Sequence, residues 1–115
     1  MRFMVIVKAN KQSEAGALPD GEMISSMGKF NDELINAGVL LAMEGLHPSS
    51  KGARVRFSGS ERAVVDGPFA ESKELIAGFW LVQMKSRAEA IEWFKRAPYP
   101  HGVLELRQVQ EETGG

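Results

Sequence analysis

The sequence contains no cysteine, and this absence removes several kinds of chemistry at once. Without thiols there are no disulfides, no thiolate nucleophile and no cysteine metal site. A reducing compartment is the simplest match to such a composition, so we expect a cytoplasmic protein. The two histidines, His47 and His101, are far apart and lack the H-x-x-x-H spacing, so we also expect no metal site.

Long apolar runs are missing as well. The longest cover residues 3–7 and 77–82, whereas a transmembrane helix requires about 20 apolar residues, and the polar loop after the first run is unlike a signal peptide. We therefore expect no membrane partner. The 14 basic and 15 acidic residues form no basic stripe, which argues against nucleic-acid binding. No glycine-rich phosphate loop is present, and we expect no cofactor.

What is present is an ordinary globular composition and a clear order of elements. With 115 residues, 43% hydrophobic and 25% charged, we expect residues 1–115 to form a single domain. The hydrophobic pattern predicts core strands over 2–8, 39–46, 75–84 and 103–109, a hairpin over 53–65, a helix over 20–37 and a second helix opened by Ser86. This order is the α+β, ferredoxin-like β-α-β-β-α-β plan with an inserted β-hairpin.

The first and the third core strand carry apolar side chains on both faces. In the ferredoxin-like plan both helices cover one sheet face, so the other face needs a different cover. A second copy of the chain, packed sheet against sheet, gives a homodimer of the dimeric α/β barrel type. The alternative is a monomer whose inserted hairpin folds over its own sheet.

The segment from Asp66 to Glu74 is an unusual turn. It places Asp66, Glu71, Lys73 and Glu74 around a Gly-Pro pair, together with Phe69. A single Asp-Gly is explained by a turn in which the carboxylate accepts backbone N–H groups. The additional charges favour a proton-transfer role, because neighbouring charges on a partly buried loop shift pKa values.

Two further positions suit the same chemistry. His47 ends the second strand and has the side chain best suited to acid–base work near neutral pH, although an exposed loop histidine fits the position equally well. Glu105 and Arg107 share the face of the last strand opposite Leu104 and Leu106. They are either ligands for a polar group at the bare sheet face or a salt bridge at its edge.

The string Asp66-Gly67-Pro68-Phe69, with Glu71, Lys73, Glu74 and Gly78-Phe79 after it, resembles the signature of the DGPF branch of the YCII-related superfamily. The opening MRFMVIV strand, Leu46-His47-Pro48 and Glu105-Leu106-Arg107 add to the likeness. The resemblance implies a ferredoxin-like fold and a dimeric α/β barrel. It also implies a histidine–aspartate pair in a pocket, for which His47 and Asp66 are the candidates, and a connection of some members with sigma factors or with lyase activity.

Two functions are therefore expected in parallel. In the first, a small lyase-like enzyme uses His47 and Asp66 as catalytic groups on a small polar substrate. Its substrate-binding residues are Phe69, Lys73, Glu74, Glu105 and Arg107, and Trp80 adds an apolar wall. In the second, the chain is a non-catalytic small-molecule-binding or regulatory module in which the same charges pair with one another.

Overall fold

The fold was analysed in a computed structural model that describes residues 1–71 and 74–111. The elements in chain order are β1 (Arg2–Lys8), α1 (Lys11–Glu14), α2 (Gly21–Asn36), β2 (Leu40–Gly45), a 3₁₀ turn (Ser49–Lys51), β3 (Ala53–Ser58), β4 (Glu61–Asp66), β5 (Ile76–Gln83), α3 (Arg87–Phe94) and β6 (Leu104–Gln108). One antiparallel sheet has the order β2-β5-β1-β6, and β3 pairs with β4 in a separate hairpin. The α+β class is thereby confirmed.

Local signals in the sequence set the ends of both long helices. The Asp20 carboxylate accepts the N–H of Met23 at 2.8 Å and so caps α2, which ends before Gly38 in the left-handed region at φ 73°. At α3, the Ser86 hydroxyl accepts the N–H of Glu89 at 3.1 Å. The predicted helix starts are confirmed. The single turn α1 and the 3₁₀ turn were not predicted.

The helix-facing side of the sheet forms the core. Phe3 and Val5 of β1 and Trp80 and Val82 of β5 are at most 4% exposed, because alternate residues of a strand point to the same face. They pack against the apolar sides of α2 and α3, namely Phe30, Leu34, Ala90 and Phe94. The Trp80 indole N–H donates to Asn31 Oδ1 at 2.9 Å. Trp80 is thus a core residue, too deeply buried to provide the predicted apolar wall of an open site.

Among residues 1–71 and 74–111, no element covers the opposite face of the same sheet. Met4, Ile6, Phe79 and Leu81 point to this side and are only half-buried. The chain measures 48 × 46 × 18 Å, and its radius of gyration is 16.4 Å. A compact chain of this length has a radius of gyration of about 13 Å. The molecule is therefore wide and thin, with one sheet layer and one helix layer.

The inserted hairpin leaves this open face uncovered. Val55, Phe57 and Val64 share one hairpin face and are 53–71% exposed, whereas packing onto the sheet would bury them. The alternative in which the hairpin covers its own sheet is therefore wrong for the single chain. Among the described residues, no helix has the length and apolar character needed to cross a membrane.

Candidate functional site

The predicted site lies at the sheet end where β1 and β2 finish, and a polar network joins the segments that meet there. Asn10 and Ser13 cap α1 reciprocally, at 2.8 and 2.9 Å, and this fixes the direction of Glu14. The Glu14 carboxylate accepts the N–H of Ser49 at 2.9 Å and also the Ser49 hydroxyl. The same hydroxyl oxygen accepts the N–H of Phe69 at 3.0 Å. One serine thus links α1, the 3₁₀ turn and the segment after β4.

Gly67 makes the closest backbone approach in this network. A Cβ atom at position 67 would lie 1.8 Å from the Ser49 carbonyl oxygen, so no larger residue fits without movement. The Gly67 N–H also donates to the Gly52 carbonyl at 3.0 Å. Because His47 and Asp66 are close in sequence to Ser49 and Gly67, this contact brings the two predicted catalytic segments side by side.

Phe69 is half-buried, and the Arg54 guanidinium of β3 lies over its ring, 3.8 Å from the centroid. This is a cation–π contact that holds the hairpin against the segment after it. We call Glu14, Ser49, Arg54, Gly67 and Phe69 the turn cluster.

The predicted catalytic pair itself is exposed to solvent. His47 and Asp66 are both exposed, and within the described ranges the Asp66 carboxylate accepts no hydrogen bond. The turn is therefore held by contacts of Gly67 and Phe69 and not by the carboxylate of Asp66. Within residues 1–71 and 74–111, no three His, Asp or Glu side chains lie close enough together to hold a metal ion.

The predicted substrate-binding residues separate into two places within one chain. Glu74 is exposed, and its N–H donates to the Glu71 carbonyl at 2.9 Å; Lys73 lies outside the described residues. Glu105 and Arg107 are on β6 and form an exposed ion pair of 3.3 Å on the open sheet face. The strand order puts β6 at the sheet edge opposite β2, about 14 Å away at the usual strand spacing.

A cavity of about 260 Å³ lies near the same sheet end, on the helix-covered side. Its polar groups come from Lys8, Asn10, Lys95 and His101, and its apolar walls from Val7, Phe94, Ala97, Val103 and Leu104. Tyr99 lines this cavity and also a second, more open one beside Asp20 and Glu22. Burial raises the pKa of the Tyr99 phenol. We call the first of these the Lys8 cavity.

The Lys8 cavity and most of the turn cluster were not predicted from the sequence. His101 lies in a loop that lines the Lys8 cavity, a position that its spacing from His47 does not indicate. Glu14, Ser49 and Arg54 are polar residues without a distinctive local motif, and their contacts join positions 15 to 35 residues apart. No local pattern marks such contacts.

Comparison with known proteins identifies a family and a relative. The family model described as the YCII-related domain matches residues 1–113. An uncharacterized protein of Rhizobium meliloti is similar over 74 residues, with 34% identity over 64% of this chain. The chain covers 60% of that relative.

Proposed function

The chain belongs to the YCII-related family, and we propose that it is a cytoplasmic, homodimeric, small-molecule-binding protein of the DGPF branch. The Asp66-Gly67-Pro68-Phe69 string supports the branch. The antiparallel strand order β2-β5-β1-β6 supports a ferredoxin-like topology, in which β1 and β5 are the central strands.

The open sheet face is the observation that carries the dimer. Met4, Ile6, Phe79 and Leu81 form an apolar surface, and the described part of the chain contains no further layer to place over it. A second copy packed sheet against sheet removes this surface from water on both chains through a two-fold axis. The result is a dimeric α/β barrel with helices outside. The ion pair of Glu105 and Arg107 lies on the edge strand, at the rim of the proposed interface.

The experiment is sedimentation equilibrium of the wild type and the Leu81→Glu variant. We expect a dimer for the wild type and a monomer with an unchanged far-ultraviolet spectrum for the variant, because an unpaired carboxylate cannot be buried without a large cost. Ile35→Glu is the matched control, since Ile35 is 52% exposed on α2 and should leave the dimer intact. A monomeric wild type would contradict the proposal.

An enzymatic role is the second candidate, and the contact of Gly67 with Ser49 favours it by bringing the His47 and Asp66 segments together. In this proposal His47 and Asp66 move a proton of a small polar substrate in a lyase-like reaction. Lys73 and Glu74 bind its polar groups, and Phe69 provides an apolar surface. Glu105 and Arg107 take part only if the second copy brings its last strand to this end.

Substitution of His47 or Asp66 distinguishes a catalytic role of the DGPF turn from an architectural one by its effect on ligand binding. Nuclear magnetic resonance titration with a set of small polar compounds is performed on the wild type and on His47→Gln, Asp66→Asn and His101→Gln. For the acid–base site we expect amide shifts around positions 47–50 and 66–69 that the first two variants abolish and His101→Gln retains. If every variant keeps the wild-type responses, the DGPF turn has an architectural role and the catalytic proposal is wrong.

A further inference from the structure

We propose that the Lys8 cavity is a binding site for a small organic anion, in which cationic side chains hold a carboxylate or similar oxyanion and the apolar walls hold a ring-sized body. The cavity lies between the end of β1, the end of α3 and the loop over residues 97–103. It is separate in position and in chemistry from the His47 and Asp66 segments.

The polar lining has one sign of charge. Lys8 and Lys95 are the charged members, and His101 and Asn10 add nitrogen donors. Among the described residues that line the cavity, none is an aspartate or a glutamate. A cavity that concentrates cations in this way attracts an anion and repels a cation or a metal ion.

Lys95 already has a partner, and this partner does not close the site. Its ammonium lies 3.2 Å from the Glu92 carboxylate, with both side chains more than 60% exposed. Exposed pairs of this kind contribute little to stability, so a ligand carboxylate competes for Lys95 with little loss. Lys8 is half-buried at the end of β1, and its backbone N–H donates to the Val103 carbonyl at 3.2 Å, which fixes its main chain beside the loop that lines the cavity.

The size and the walls of the cavity define the rest of the ligand. Val7, Phe94 and Leu104 are among the apolar residues that line the cavity, beside the cationic ones. An apolar cavity of about 150 Å³ in another protein admits benzene, so about 260 Å³ admits a ring that carries a carboxylate. A bare oxyanion would make no apolar contact with these walls. The ligand class is therefore an aromatic or cyclic acid and not free phosphate.

Tyr99 forms one rigid wall of the site. Its ring packs edge-on against the buried Trp80, with centroids 6.4 Å apart, so the core positions it. A phenol with the ordinary pKa of about 10 keeps its proton at neutral pH, and burial raises the pKa of Tyr99 further. It can therefore donate a hydrogen bond to an anionic oxygen, which an ionised phenolate would repel.

The first experiment compares benzoate with benzamide, which has the same ring and no charge. Both are titrated into the isotopically labelled full chain and followed by amide chemical shifts. We expect benzoate to shift the amides of residues 8–10 and 101–104 and to bind about three to ten times more tightly than benzamide. Inorganic phosphate should produce weaker shifts. Equal binding of benzoate and benzamide would overturn the anionic assignment, and phosphate binding as tight as benzoate would overturn the assignment of a ring.

The second experiment uses charge-removing variants. Lys8→Gln and Lys95→Gln should each weaken benzoate binding by about three- to tenfold. Lys85→Gln is the matched control, because Lys85 is exposed beyond the other end of β5 and should leave binding unchanged. Thermal melting verifies that each variant is folded. If Lys8→Gln and Lys95→Gln both bind benzoate as tightly as the wild type and the Lys85→Gln control do, the Lys8 cavity is not the site.

The inference does not depend on the proposed function. The lining of the Lys8 cavity includes none of the residues of the proposed dimer interface and neither His47 nor Asp66. A monomeric wild type that still binds benzoate in this cavity would contradict the dimer alone, whereas a dimer without benzoate binding would contradict the cavity site alone.

Discussion

The helix-covered core and the turn cluster are held together by different means. In the core, Phe3, Val5 and Val82 lose nearly all of their solvent exposure and pack against two helices. In the turn cluster there is little apolar burial. Two polar side chains, one glycine and a cation–π contact fix the segments instead.

This difference determines how each region responds to change. Core stability grows with the apolar area buried and is shared among many contacts. The turn cluster depends on a few contacts between segments distant in sequence, so loss of one atom or one charge alters a large part of it. Substitutions in the core should therefore lower global stability, and those in the turn cluster should act more locally.

Removal of a core aromatic ring gives the largest expected effect. Phe3→Ala should lower the free energy of unfolding by about 3–5 kcal/mol, because Phe3 is 2% exposed and leaves a cavity beneath both helices. Phe57→Ala is the matched control: the ring is 71% exposed and touches Arg62, so the loss should stay below about 1 kcal/mol. Urea denaturation measures both. Similar losses for the two variants would show that the hairpin is buried in the native assembly.

A methyl group at Gly67 gives the next effect, in the turn cluster. Gly67→Ala should cost about 1–3 kcal/mol, because its Cβ would overlap the Ser49 carbonyl. Hydrogen exchange should become faster at the Phe69 amide, which donates to Ser49, while the core amides of β1 change less. Gly28→Ala is the control of opposite sign: the position is helical with open space around it, and alanine should stabilise α2 by about 0.5–1 kcal/mol. Uniformly faster exchange in Gly67→Ala would remove the distinction between the two regions.

The core could be predicted from the sequence because its signals are local. The apolar runs of β1 and β5 and the caps at Asp20 and Ser86 each lie within a few residues, and they placed the strands and helix starts within one or two positions. The face of Glu105 and Arg107 also followed from alternation along β6. Of the two alternatives for these residues, a ligand site or a salt bridge at the sheet edge, the ion pair in the single chain corresponds to the salt bridge.

The turn cluster and the Lys8 cavity could not be predicted in the same way. Glu14 contacts Ser49 across 35 residues, and Lys8 and Tyr99 line one cavity only because the chain returns after α3. Tertiary contacts of this kind leave no periodic pattern. The sequence did indicate that the segment after Asp66 is special, since Gly67 and Phe69 carry its contacts. It did not indicate that their partner is a serine.

The smallest expected change in stability comes from removing the charge of Glu14, and its size depends on pH. Hydrogen bonds from the Ser49 hydroxyl and from its backbone N–H hold the pKa of Glu14 below its ordinary value of 4.5, against a small opposing effect of burial. Because the folded-state pKa is the lower one, the carboxylate contributes stability above about pH 4.5 and loses this contribution as the pH falls through the folded-state pKa.

Glu14→Gln should therefore be less stable than the wild type at neutral pH, with a difference that shrinks as the pH falls below about 4.5. Urea denaturation at a series of pH values measures this difference. Glu111, whose pKa is lowered by Arg2, affects both proteins alike and cancels in the comparison. Glu61→Gln on the exposed hairpin is the control and should give no such trend. A difference between Glu14→Gln and wild type that stays constant across this range would mean that the Glu14 charge does not hold the turn cluster, and that packing around Gly67 does.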